Sequence, residues 1–222
     1  VGIVMKVTDI IDYAVTGELR QISLCEIGDT SARTPEQQKN LNTLVSYVNQ
    51  AMIELSTRFP LFISVEELDA DPGDTDPIPF PDNATTLLKV ESLLGEVIPI
   101  NEPKWDDPMY KDTDQWFIKT PSVNTLVIDN NKPVKSTTLL ATFVLSAPKY
   151  VYTSDIAVPN NYLEAILDYV AYKANTAMKP LPNQEGNVYY MKFEADCARL
   201  KSTFDNNYES VEGSKFFNRG FR

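Results

Sequence analysis

The hydrophobic period of this chain changes twice, and that change constrains its fold more than any other feature. From Thr34 to Phe59 the apolar residues Leu41, Leu44, Val45, Val48, Met52, Leu55 and Phe59 recur at intervals of three and four. That spacing lays one stripe along an amphipathic helix. Thr34-Pro35-Glu36-Gln37 supplies a capping hydroxyl, a proline at the first helical position and a glutamine three residues after the cap. Pro60 stops the run. Beyond it the chain turns to β-branched and aromatic segments: Phe62 to Leu68, Thr86 to Leu94, Gln115 to Ile118, Thr125 to Asp129 and Thr137 to Leu145. Turn chemistry separates them, at Asp71-Pro72-Gly73-Asp74, Gly95-Glu96, Thr120-Pro121-Ser122 and Asn130-Asn131-Lys132-Pro133. After Pro159 the helical period returns, with Leu163, Ile166, Leu167, Val170, Ala171, Ala174 and Met178 on one stripe, ended by Pro180 and Pro182.

Two shorter stretches complete the helical flanks. Thr8-Asp9 is placed to cap a run through Val15, and Leu19 to Ile27 forms a second run ending at Gly28. From about Gln184 to Phe204 a helix carries two stripes, Val188, Met191, Ala195 and Ala198 beside Tyr190, Phe193, Cys197, Leu200 and Phe204. So wide an apolar face packs on more than one side, in a bundle or at a subunit contact. The expected fold class is α+β: a helical bundle built from both ends of the chain, with an antiparallel β region inserted between them. The expected domains are 1–62 with 158–205 as one discontinuous bundle, 63–157 as the β insertion, and 206–222 as an extended C-terminal tail. Residues 99–114 read as a long loop.

Charge divides the chain in the same places. Residues 63–157 hold 16 acids against 7 bases and 10 of the 15 prolines, within a chain of net charge −11. The flanks are close to neutral. An acidic surface repels phosphate backbones, which argues against a protein that grips nucleic acid. No apolar run approaches the roughly 18 residues of a spanning helix. The first residues lack the basic-then-apolar order of a signal peptide, so a soluble protein with no membrane partner is expected.

The absence of histidine removes Ser-His-Asp and Cys-His catalysis and almost all zinc chemistry. Cys25 and Cys197 exclude a disulfide framework and read as reduced, packed thiols, with a single bridge between them left open. Asp69, Asp71, Asp74 and Asp76 are the nearest approach to a metal site. However, Gly73 stands where a calcium loop places an acid or amide, and Asp74 where it needs glycine. A solvated hairpin tip is the preferred reading. Asp106, Asp107, Asp112 and Asp114 offer carboxylate pairs for glycoside hydrolysis, with Trp105 and Trp116 as sugar platforms. Nothing in the sequence makes one of those carboxyls less acidic than another, as general-acid work demands. No glycine-rich phosphate loop occurs. Tyr162, Tyr169, Tyr172, Tyr189 and Tyr190 read as core and interface residues. The expectation is no enzyme, with no catalytic, metal or cofactor residues and no cofactor.

The end of the chain stands apart. Lys215, Phe216, Phe217, Arg219, Phe221 and Arg222 combine three positive charges with three aromatic rings and no acid. A purely solvated tail rarely has that content, so these six residues are the expected partner-binding site.

In order, these pieces resemble the head-to-tail adaptors of short-tailed phages, the tail tubular protein A or tail adaptor family. Leu19 to Asp29 resembles a first helix with an "LGD"-type ending, here Ile27-Gly28-Asp29. Leu41 to Phe62 is similar to the family's second helix, a "xxLLxxLNxAxxELxxRxP"-like stretch running into a strand. Leu145-Ser146-Ala147-Pro148 resembles its last strand and "xxPP" exit. Leu163 to Ala174 is the most recognisable piece, with Asn187 to Arg199 as its partner helix. The resemblance spans about residues 17–204. It implies a structural virion protein of the phage neck, assembled in the host cytoplasm. It also implies a ring of about twelve copies bound to the portal protein above and the tail nozzle protein below, with double-stranded DNA passing through the lumen without specific binding. Acidic residues of 63–157 would face that channel or the outer rim. The alternatives are another neck or tail completion protein, and a carbohydrate-binding or hydrolytic tail domain using Trp105, Trp116 and the nearby acids.

Overall fold

The computed structural model describes residues 5–20, 33–73, 76–101, 116–130, 135–178 and 184–217. Backbone contacts divide the chain into two units, Val1–Phe59 with Pro148–Arg222, and Pro60–Ala147.

In the first unit, β1 (Met5–Lys6) leads directly into α1 (Val7–Thr16), and α2 (Pro35–Arg58) follows. Later come β9 (Asp155–Ile156), a 3-10 turn at Asn160–Tyr162, α3 (Leu163–Met178) and α4 (Gln184–Phe217). α2 begins where its sequence directs. The Thr34 hydroxyl accepts a hydrogen bond from the Gln37 N–H at 3.2 Å, and the Gln37 side chain accepts one from the Thr34 N–H at 2.9 Å. Such a reciprocal cap satisfies two of the N–H groups that a helix start leaves unpaired. Its inner face buries Leu41, Leu44, Val48, Ala51, Met52 and Leu55. α1 is capped at Lys6, two residues before the expected cap. Thr8 lies inside the helix, and the Asp9 carboxylate reaches back to the Lys6 N–H at 3.4 Å.

α3 packs against each of the other three helices. Its buried Ala165, Ala171 and Ala174 let neighbouring backbones approach, while Ile166, Tyr169 and Val170 fill the space between them. α4 supplies Phe193, Cys197 and Leu200 to that interior. Its backbone stays helical to Phe217, past the Phe204 end expected from the period and through much of the expected 206–222 extended tail. No proline interrupts 184–217. The sequence beyond Phe204 has no apolar period, so periodicity could not show the helix's length.

The second unit holds two antiparallel sheets. One is ordered β2-β8-β4-β5, from β2 (Ile63–Ala70), β4 (Ala84–Ser92), β5 (Val97–Ile98) and β8 (Thr137–Leu145). The other is ordered β3-β7-β6, from β3 (Ile78–Pro79), β6 (Trp116–Ser122) and β7 (Thr125–Asn130). Between them lie Ala70, Val90, Ile98, Trp116, Ile118, Leu126, Ile128, Leu139, Ala141 and Phe143. Phe80 closes the cluster edge-on to Phe143, with ring centroids 5.0 Å apart.

These findings overturn the expected fold class. The protein is mixed α/β rather than a helical bundle carrying a β insertion. The strands between Pro60 and Ala147 bury one face each around a core of their own, and the helical unit carries a sheet as well. There β1 pairs antiparallel with β9, and the Val7 N–H donates to the Ser154 carbonyl at 3.0 Å. Strands of two residues have no alternation to read, so this sheet left no trace in the hydrophobic pattern.

Candidate interaction surfaces

The two stripes of α4 have different fates. Phe193, Cys197 and Leu200 turn inward. Tyr169 meets Phe193 edge-on at 5.1 Å between centroids, and Tyr172 meets Tyr190 at 5.0 Å. The other stripe, Val188, Met191, Ala195 and Ala198, is exposed along its whole length, with Met191 70% accessible. Its spacing of three, four and three is that of a helix–helix seam. Small alanines at two of its four positions permit close approach. Among the described residues nothing covers it.

Arg58 secures the outer end of the inward face. At the last position of α2, its guanidinium forms a fork with Glu194 at 2.8 Å for both bonds, and binds Glu54 at 2.7 Å. It also lies over the Phe193 ring at 4.9 Å. The paired charge holds the Glu194 carboxyl below its ordinary value, and the Glu194 hydrogen bond raises Arg58 further. Burial pushes the Cys197 thiol up to about 11, against the lowering effect of Arg58. Cys197 is thus a buried, free, protonated thiol at neutral pH. Cys25 lies outside the described residues.

A second polar cluster sits between α3 and α4. Glu18, Glu164, Leu167, Asp168, Lys192, Ala195 and Asp196 line an open cleft of about 360 Å³. Burial pushes the Asp168 carboxyl up to about 6, helped by Asp196 and Glu18 and opposed by Lys192. Arg199 spans the rim, to Glu164 at 2.6 Å and Asp196 at 3.1 Å.

In the β unit the β4–β5 turn displays apolar side chains on a well-fastened tip. The Gly95 N–H donates to the Ser92 carbonyl at 2.9 Å, while the Ser92 hydroxyl accepts from Leu94 N–H and Glu96 N–H at 3.3 and 3.2 Å. Gly95 has φ +80°, a conformation open to glycine at little cost. The result is Leu94 held 89% accessible, next to exposed Leu93 and Val97. Leu88 is also turned outward, because β4 carries an irregularity between Leu87 and Lys89 that shifts its register.

Of the six residues expected to bind a partner, Lys215, Phe216 and Phe217 fall on the last turn of the α4 backbone. Arg219, Phe221 and Arg222 lie outside the described residues. Trp105, Asp106, Asp107, Asp112, Asp114 and Asp74 lie outside them too. Trp116 is buried in the β core, which removes it as a sugar platform. Asp69 is the next-to-last residue of β2, and Asp71 enters a turn in which Gly73 has φ +83°. Among the described residues no group of three or more His, Cys, Asp or Glu is placed to hold a metal ion. No described helix is long and apolar enough to cross a membrane. The five tyrosines lie where core and helix contacts are made. Tyr162 and Tyr169 are buried, Tyr172 and Tyr190 stack beside them, and the Tyr189 hydroxyl donates to the Glu18 carbonyl at 3.4 Å. Sequence reasoning missed the Arg58 fork and the Leu93–Leu94 tip. The "ELxxR" spacing of Glu54 and Arg58 was visible, but their partner Glu194 is 136 residues away.

Comparison with known proteins agrees with a contact protein of this kind. A search of curated proteins gives no match. The family model described as SU10 adaptor protein matches residues 5–213, across both units. The chain therefore belongs to the SU10 adaptor protein family and is a phage adaptor.

Proposed function

We propose that this adaptor, of the kind that tail tubular protein A represents, assembles as a head-to-tail ring of about twelve copies. The portal protein lies above it, the tail nozzle protein below, and double-stranded DNA passes through its lumen without specific binding. It works by contact area rather than by catalysis. The family match over residues 5–213 carries this reading. The exposed α4 stripe supports it, since large unpartnered apolar faces mark sites of protein association. So does the net charge of −11 per copy, which repeated around a ring repels DNA phosphates and favours sliding over adhesion. The basic aromatic end, Lys215 to Arg222, is the proposed hook for the portal or a neighbouring subunit. Its phenylalanines fill pockets and its arginines fix orientation.

Mixing the purified protein with its portal, followed by electron microscopy of the sedimented material, tests both parts. The full chain should add a ring to the portal. A chain lacking residues 215–222 should stay folded and fail to attach. A full chain that leaves the portal bare refutes the adaptor ring, and unimpaired attachment of the truncated chain refutes the hook. A lumen lined mainly by lysine and arginine would overturn the sliding argument.

A further inference from the structure

β2 is the longest edge strand among the described residues, and it is guarded by acidic charge rather than by its shape. Its eight residues pair in unbroken register with β8, from Ile63 opposite Val144 to Ala70 opposite Thr137. It contains no proline, no lysine and no bulge, three of the devices by which sheets blunt their edges. The direction of its free backbone groups follows from one bond. The Leu145 N–H donates to the Phe62 carbonyl at 2.8 Å, so the ladder bonds to β8 fall at even positions of this strand. Ile63, Val65, Glu67 and Asp69 therefore turn their N–H and C=O groups to the open edge. No described strand pairs with that edge. The side chains of the same four residues are exposed, Ile63 at 51% and Val65 at 58%.

Charge decides what fits there. β2 has three acids, Glu66, Glu67 and Asp69, and no base. Lys89, two strands away, is already paired with Glu91 at 2.9 Å. A second copy offering its own β2 would meet odd positions with odd positions. The two fullest registers then set Glu66 or Glu67 against its own counterpart, and like charges directly opposite are destabilising. Of the other outer strands of these sheets, β3 and β5 have two residues each, and β6 carries Lys119 and Pro121 and is bridged at Ile118 by Ile100. We propose that the open edge of β2 takes up an extended segment of a different protein, with apolar residues opposite Ile63 and Val65 and basic residues opposite Glu67 and Asp69. Strand addition supplies affinity through main-chain bonds, and the alternating side chains supply selectivity. The inference does not depend on a ring.

The probe is the fluorescent heptapeptide acetyl-KVRTVTV-amide, which laid antiparallel sets lysine against Asp69 and arginine against Glu67. Its acidic counterpart is acetyl-EVETVTV-amide. Titration into the full-length protein, with amide hydrogen exchange on the complex, should show saturable binding of the basic peptide alone. Added protection should fall at Ile63, Val65, Glu67 and Asp69. Val65→Pro removes an edge-facing N–H and no ladder bond, a place where sheets accept proline, and should weaken binding tenfold or more. Glu67→Lys with Asp69→Lys keeps every backbone group and should reverse the preference between the peptides. The proposal is overturned by absent or equal binding of the two peptides, by protection elsewhere, or by an unchanged preference in the lysine variant. A concentration-dependent dimer abolished by Val65→Pro would assign the edge to a second copy and overturn it equally.

Discussion

Replacing Asp168 by asparagine should make this protein more stable at neutral pH, although it removes a charge from a cluster that contains a lysine. The Asp168 carboxyl is pushed from 3.8 up to about 6, chiefly by burial between α3 and α4. A carboxyl raised in the folded state favours folding at low pH. Its contribution is fully present below about 3.8 and lost as pH rises through about 6. At pH 7.5 the wild type therefore holds a carboxylate its surroundings disfavour. At about 1.4 kcal/mol per pH unit, the whole shift corresponds to roughly 3 kcal/mol. The side chain is only half-buried in an open cleft, so solvent screening reduces this to about 1 kcal/mol. Asparagine reproduces the shape of the protonated acid and can still donate to Asp196. Urea unfolding of both proteins at pH 4 and pH 7.5 measures the effect. The variant should gain about 1 kcal/mol at pH 7.5 and much less at pH 4, with unchanged m-values. A loss at pH 7.5 would mean that the Lys192 attraction outweighs burial. An equal gain at both pH values would mean that charge is not the cause.

Two further outcomes follow from the helical unit. Arg58→Ala should cost about 2 kcal/mol, from an ion-pair fork and a cation–π contact that are both partly shielded. A double-mutant cycle with Glu194→Ala should give a coupling of about 1 kcal/mol at pH 7. Because Glu194 is held below its ordinary value of 4.5, that coupling should survive to below that pH and be lost only on further acidification; a coupling already lost at about pH 5 would contradict the assignment. Met191→Lys places a charge on the exposed α4 stripe, and should leave thermal unfolding within about 0.5 kcal/mol while preventing ring assembly on the portal. Rings formed as readily as by the wild type would remove the stripe from the assembly contacts.

The legible parts of the fold are those where one short stretch contains all the physics. α2 is written in the cap at Thr34–Gln37, a stripe of seven apolar residues and Pro60. The α3 stripe begins at Leu163, where the helix does. The strand reading Thr137 to Leu145 coincides with β8 because β8 is central and its inward positions are uniformly apolar. The Thr86 to Leu94 reading is displaced from Ala84–Ser92 because Leu93 and Leu94, apolar as any strand residue, sit on a turn that Ser92 and Gly95 impose. Trp116 looked like a binding platform since an aromatic beside acids reads the same exposed or buried. Only the pairing of β6 with β7 places it in a core. The candidate surfaces were half legible. The double stripe of α4 was plain, whereas which stripe faced outward depended on α3 and on the distant Arg58–Glu194 contact.

The bond between Leu145 and Phe62 has a consequence for the order of folding. It places the first and last residues of the β unit side by side, so a contiguous segment of 88 residues, Pro60 to Ala147, begins and ends at one point. The helical unit is split around it, and α1 and α2 leave the ribosome long before α3, the helix on which both of them pack. Bringing α2 and α3 together across the roughly 104 residues between Arg58 and Leu163, all unfolded, costs about 4 kcal/mol of loop-closure entropy. A folded β unit shortens that loop to about 16 residues, Phe59 and the stretch from Pro148 to Tyr162, and lowers the cost by more than about 1 kcal/mol. Synthesis from the N-terminus thus favours a sequence in which the sheets form first and draw the two halves of the helical unit together, with closure on α3 as the last step.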